Sequence, residues 1–361
     1  MSSLFGLSHQ FAQQNWSRIA QLGQRAGLFL LALSCLSLVS LAADTNTGRA
    51  TVIVLVGAPG EEDFEKVFTE AAANWEKAAR TAGANYIQIG GATSSTTNGL
   101  QEFHAAMQRE SSNTMDELWI SMIGHGTFDG RETKFNLRGP DLSASDLSNT
   151  LALIHRPIAV IDGASSSAPF IKSLSGANRV IITATRSGAE ENFTRFGKFM
   201  AQAIADPEAD LDKDGQTSLL EAFLMASRRV ADFYKGEGRL ATEHALLDDN
   251  GDGLGTPADW FRGIHAVKKS ASGAALDGMR AHQWHLVRST ADQKLTTEQR
   301  KQRDELELEI GRLREEKASL SEDDYYHKLE VLLTKLGEIE LGSGAGPAKE
   351  QPDSPAKELP R

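Results

Sequence analysis

Residues 118–126 read LWISMIGHG, and the fold turns on what that run is. Its apolar part is uncharged, rich in large and branched side chains, and too short for a buried helix. It ends on two glycines that flank a histidine. A strand buried on both faces has this composition, and such a strand would deliver His125 to a loop at its carboxyl end.

Working outward, the same kind of run recurs. Residues 50–56 (ATVIVLV) end at Gly57-Ala58-Pro59-Gly60, and shorter runs lie at 86–89, 157–161 and 179–185. Helical patterns separate them. Residues 62–82 place Phe64, Phe68 and Trp75 on one face, and further helices are predicted at 100–110, 145–155 and 196–205. Residues 127–137 have the turn-rich composition of a small hairpin. Strands alternating with helices predict an α/β fold, a three-layer sandwich with a mainly parallel sheet covered on both sides.

Acidic residues cluster from 206 to 255. Beyond them the chain reads as two helices, begun by the capping pairs Thr296/Gln299 and Ser321/Asp324 and striped by Leu306, Ile310, Leu313 and by Leu329, Leu332, Leu336. A helical hairpin is expected at 291–341. The last residues, 342–361, carry Gly, Pro and charge with nothing to bury, and disorder is expected there.

The chain has 361 residues, 40% hydrophobic and 24% charged, with a net charge of −11. That supports a sizeable core, and it excludes nucleic acid as a main partner, because phosphate binding needs a basic face. One cysteine, Cys35, lies inside the apolar run 26–43, which follows Arg18 and Arg25 and ends in small residues. This is a signal-peptide pattern over 1–43, with cleavage after Ala42 or Ala43. An uncleaved membrane anchor and a lipoprotein signal at Cys35 are the rival readings, and membrane contact is expected only if the segment stays on. An exported protein is expected: periplasmic, secreted or in the cell envelope. Under cleavage the mature chain has no thiol.

Asp210, Asp212, Asp214, Gly215 and Glu221 match D-x-D-x-D-G-x₅-E at every position. Ca²⁺ takes about six to eight oxygens; such a loop supplies carboxylates from its first, third, fifth and twelfth positions and a backbone carbonyl from the seventh, here Gln216. Asp248, Asn250, Asp252 and Gly253 begin a second loop, whose twelfth position is the shorter Asp259. That loop is a half-match, a weak cation site or a turn-rich loop. The segment 206–290 is thus expected to bind calcium.

Two blocks carry a family resemblance. Residues 118–126 resemble the strand ending in His-Gly of caspase-, metacaspase- and legumain-like peptidases (the caspase-hemoglobinase fold). Ile158–Asp162 with residues 163–168 resembles their strand ending in acidic-x-Cys-x-Ser-Gly. Gly139-Pro140-Asp141-Leu142 with Leu147, and Thr183-Ala184-Thr185, are similar to later segments of the same families. The resemblance spans about 50–205 and implies a caspase/legumain-like domain at 48–205 with His125 and Ser165 as the catalytic positions. Counting from Asp162 instead places Ala164 at the cysteine.

The departure is chemical. The family's nucleophile is a thiol of pKa about 8.5, whereas a serine hydroxyl usually needs a base oriented by a third group. No carboxylate is evidently placed for His125; Asp129 and Asp162 are near only in sequence. Three readings stay open: a non-catalytic relative that binds a peptide or protein ligand, a serine peptidase or esterase using Ser165 and His125, and a cell-envelope scaffold acting through the helical hairpin. An α/β-hydrolase elbow at residues 163–167 is the alternative fold; its histidine would come from His244, His265, His282 or His285. Arg186, Glu190 and Glu191 follow the last strand, where related enzymes bind the substrate side chain.

Overall fold

The computed structural model describes residues 49–92, 97–111, 116–268 and 277–342. The expectations for residues 1–43 and for the tail fall outside the described residues, except that Gly342 still ends a helix.

Five strands are parallel: β1 (Thr51–Val56), β2 (Asn85–Gly90), β3 (Leu118–Ile123), β7 (Ile158–Asp162) and β8 (Arg179–Thr183). They lie in the order β2-β1-β3-β7-β8. The chain first steps outward from β1 to β2, then passes back over β1 to β3 and continues in that direction. Right-handed crossovers therefore put the first connecting helix on one face and the later ones on the other. Accordingly α1 (Glu62–Ala82) covers one face, while α2 (Gly99–Glu110), α3 (Ala144–Leu151) and α4 (Pro169–Leu174) cover the opposite one.

Side chains alternate between two cores. Val52, Val54, Trp119, Ile161 and Ile182 face α1, whereas Ile53, Leu55, Ile120, Val160 and Ile181 face α2–α4, and all are buried. This two-sided burial is why the strands read as continuous apolar runs. Truncating Trp119, fully buried, costs about 3–5 kcal/mol.

The expected division after residue 205 does not divide the core. α5 (Phe196–Ala203) and α6 (Leu219–Gly236) pack on the α1 face beside Trp75 and Trp119. Two strands that the sequence did not announce, β9 (Leu246–Asp248) and β10 (Thr256–Pro257), extend the same sheet antiparallel next to β8. They are too short to show a period. The predicted hairpin at 127–137 gains a third strand: β4 (Gly126–Phe128), β5 (Thr133–Phe135) and β6 (Leu142–Ser143) form a small antiparallel sheet. β11 (Phe261–Arg262) and β12 (His265–Ala266) form another. The strap 277–295, with the single turn α7 (Met279–His282), packs Trp284 edge-on against Trp119 at 5.2 Å. The helical hairpin is present as α8 (Thr297–Glu315) and α9 (Glu322–Gly342).

Candidate functional site

In an open sheet of this order the crevice for ligands lies outside the carboxyl ends of the strands, where the order reverses between β1 and β3. His125 follows β3 there, and Ser165 sits on the turn after β7. The two segments touch closely. A Cβ at Gly126 would come within 2.2 Å of the Ser165 carbonyl oxygen, so only glycine permits this approach.

The two side chains, however, are engaged elsewhere. Ser165 is 4% exposed. Its Oγ donates to the Gly126 carbonyl at 3.0 Å and accepts from the Gly126 N–H at 3.2 Å. His125 is half-buried, with Nε2 3.2 Å from the Pro59 carbonyl. Its ring lies among Phe64, Phe68 and Phe193, with centroids 4.8, 5.4 and 5.8 Å away. Neither residue is the other's hydrogen-bond partner. Ala164, the alternative nucleophile position, has a buried methyl group.

Among the described residues no carboxylate bonds to His125. Asp129 instead holds the β4–β5 turn by accepting from the Arg131 and Glu132 amides, both at 2.9 Å. Asp162 is fully buried at the end of β7; one oxygen accepts from the Ala164 N–H at 3.0 Å, the other has no partner, and burial pushes its pKa up to about 7. Carboxylates meet two other imidazoles: His282 Nε2 lies 2.8 Å from Asp212, and His244 Nδ1 lies 2.6 Å from Glu190. Glu190 also pairs with Arg186 at 3.3 Å, so the loop charges after β8 are largely spent on one another, and Glu191 is exposed. Of the remaining histidines, His265 is exposed, and His285 is buried with Nε2 unpartnered and its pKa pushed down to about 3 by burial.

The acidic loops form a second candidate site, and here the geometry exceeds the sequence reading. In the first loop Asp210 accepts from the Lys213 and Gly215 amides at 2.6 and 3.2 Å, Asp212 from Asp214 N–H at 3.2 Å, and Asp214 from Gln216 N–H at 2.9 Å. In the second, Asp248 accepts from Gly251 and Gly253 at 3.1 and 2.9 Å, Asn250 from Asp252 at 2.8 Å, and Asp252 from Leu254 at 2.8 Å. Position by position the bonds are the same. So is the backbone: Lys213 and Gly251 have φ of 65° and 83°, and Gly215 and Gly253 of 89° and 73°. One carboxylate oxygen from each of Asp210, Asp212 and Asp214 lies within 4.8 Å of the others.

Closure differs. Glu221, fully buried, takes the Leu211 and Asp212 amides at 2.7 and 3.3 Å on one oxygen and the Ser218 hydroxyl at 2.8 Å on the other, within a capping box that starts α6. In the second loop Asp259 is exposed and pairs with Lys268 at 2.6 Å. The equivalent contacts are made by Asp277 of the strap. It takes the Asp249 and Asn250 amides at 3.0 and 3.3 Å on one oxygen and the Thr256 hydroxyl at 2.5 Å on the other. Asp277 could not be found from a local motif. Asp248, Asp249 and Asp277 are all buried, with no salt bridge to lysine or arginine among the described residues, and burial raises each pKa, that of Asp277 to about 8. The strap also reaches the first loop, where His282 Nε2 lies 2.8 Å from Asp212 and the Ser289 N–H donates to Gln216 Oε1 at 3.0 Å.

No family model and no curated protein matches the chain. Among solved structures it is similar to the Drosophila initiator caspase Dronc: 14% identity over 57% of this chain and 81% of that one, TM-score 0.39. It is similar also to caspase-1 of Spodoptera frugiperda, with 11% identity, 56% and 86% covered, TM-score 0.38. A protein of Geobacter sulfurreducens matches at 10% identity, 50% and 89% covered, TM-score 0.35. At such scores the likeness assigns no residue a role.

Proposed function

We propose that this chain is an exported, calcium-binding relative of the caspase- and legumain-like peptidases that has lost peptidase chemistry and serves as a binding domain for a peptide or protein ligand. One observation carries the loss of chemistry: the Ser165 hydroxyl is bonded both ways to the Gly126 backbone, while His125 is turned to Pro59. A serine attacks only when a base removes its proton, and that base must be oriented. Here the base faces aromatic rings, and the hydroxyl proton is already donated to a carbonyl. Export rests on the apolar run 26–43, and the family on the strand order together with the His-Gly strand end.

The test is an activity probe. Incubation with a fluorophosphonate should leave Ser165 unlabelled, and peptide and ester substrates should survive. Labelling at Ser165 that disappears in His125→Ala would establish the serine-hydrolase reading instead.

The calcium-binding part of this reading is favoured by the matching amide bonds and φ angles of the two loops. The donor set suits a hard divalent cation: carboxylate, amide and carbonyl oxygens, with no sulfur. Asp210, Asp212, Asp214, Gln216 and Glu221 would hold one ion, and Asp248, Asn250, Asp252 and Asp277 a second. A bound cation supplies the positive charge that these carboxylates lack. The chain's own part is to hold the oxygens in place before the ion arrives, through the amide bonds that fix each loop. Two binding events in calorimetry would support this; none in a folded sample would sink it.

A further inference from the structure

The turn at residues 163–168 closes over a carboxyl group that has no charged neighbour among the described residues. Asp162 is fully buried at the end of β7. Beside it β3 presents Met122 and β8 presents Thr183. The turn itself contributes glycine, alanine and serine, and the nearby titratable groups are turned away, His125 to Pro59 and Glu190 to His244 and Arg186. In and beside the turn two buried polar atoms have no partner among the described residues, Asp162 Oδ2 and Ser166 Oγ. Ser166 also adopts φ of 54°, a left-handed conformation that disfavours a non-glycine residue.

Such a turn persists only if its surroundings hold it, and they do. The Ser165–Gly126 pair is one clasp. Thr133 Oγ1 donates to the Ser166 carbonyl at 2.6 Å, the Ser166 N–H to the Glu190 carbonyl at 2.9 Å, and Thr194 Oγ1 to the Gly163 carbonyl at 2.5 Å. The closed form thus combines a strained residue, two orphaned polar atoms and several clasps, which is the make-up of a segment with a second state.

We propose that the turn at residues 163–168 is a proton-controlled latch: it stays shut on Gly126 while the Asp162 carboxyl carries a proton, and loss of that proton to solvent lets it open and uncover Ser165 and Ser166. An ionised carboxylate sealed in this position, with a single N–H to stabilise it, favours any conformation that reaches water. The latch acts on the same Ser165–Gly126 bonds that keep the serine hydroxyl engaged in the closed form, and it shares no residue with the acidic loops.

The sign follows from linkage. The carboxyl has its ordinary value near 3.8 when open and about 7 when closed. The closed form is therefore fully favoured below about pH 4, weakens about tenfold per pH unit as pH rises, and levels off above about pH 7. Amide hydrogen exchange by mass spectrometry on the full chain at constant calcium reads this directly, after correction for intrinsic rates. Peptides covering residues 163–168 should lose protection about tenfold per unit between about pH 5 and about pH 7, while peptides in β1 keep theirs. Asp162→Asn should hold the turn closed with protection independent of pH. Ser166→Gly, which removes both the strain and the orphaned hydroxyl, should raise protection at every pH. A flat wild-type profile overturns the proposal even if Asp162→Asn fails to fold, and so does a variant that keeps the wild-type slope.

Discussion

The two acidic loops have the same backbone and the same amide bonds, but they close differently. The first is finished by its own twelfth residue, Glu221, which also completes the capping box that Ser218 starts. The second is the connection between β9 and β10, and only the single 3-10 turn Ala258–Trp260 follows, which leaves the twelfth residue, Asp259, exposed. Its own candidate, Asp259, points to solvent, and Asp277 makes the closing contacts from a distant segment. One geometry is thus reached by a local and by a non-local route. The hydrogen bonds of a closing carboxylate can be supplied by any segment that the tertiary fold brings to the same place.

The comparison is sharpened most by Glu221→Ala. It strands buried amides and removes the N3 carboxylate of the capping box, leaving the Ser218 bond to the residue-221 N–H in place; the stranded groups cost about 1–3 kcal/mol. It also removes the linkage of the first ion, about 2.7 kcal/mol when calcium is at about 100 times Kd. A melting temperature lowered by roughly ten degrees is expected in calcium, and a smaller loss in chelator. If calcium and chelator give the same loss, Glu221 serves the capping box and the loop amides alone.

Asp277→Ala should have the next largest effect. Calorimetry should lose one of two calcium events, the first loop should keep its own, and the calcium-dependent part of the melting temperature should fall by about half. Retention of both events would break the equivalence of Asp277 with Glu221.

Asp259→Ala should do almost nothing. The side chain is exposed and its ion pair with Lys268 is worth at most about 1 kcal/mol; stability should stay within about 0.5 kcal/mol and calcium binding should be unchanged. Loss of the second calcium event in this variant, with Asp277→Ala silent, would mean that the second loop closes locally after all.

Much of this was legible in the residues. β1, β3, β7 and β8 were visible because central parallel strands are buried on both faces, which leaves unbroken runs such as residues 52–56 and 118–123. The first loop was visible because all its positions lie within one short, contiguous pattern. β9 and β10 were not, since two or three residues carry no period. His125 was correctly placed at a strand end, yet its partners Phe64, Phe68 and Phe193 come from two other segments. The pairing of Glu190 with His244 was not legible either, because the loop after β8 and residues 239–245 meet only in the folded chain.

The sequence by itself determined the layered parallel architecture, the position of His125 and Ser165 at strand ends, the frame of the first acidic loop and the absence of a thiol beyond Cys35. Each of these is set by composition and spacing over a few neighbouring residues. Tertiary structure alone decided that Ser165 binds Gly126 and not His125, that Asp162 is sealed without a counter-charge, and that Asp277 closes the second loop. Those outcomes depend on which distant backbone groups reach a side chain first, and hydrogen bonding is too short-ranged and directional for that to be read along the chain.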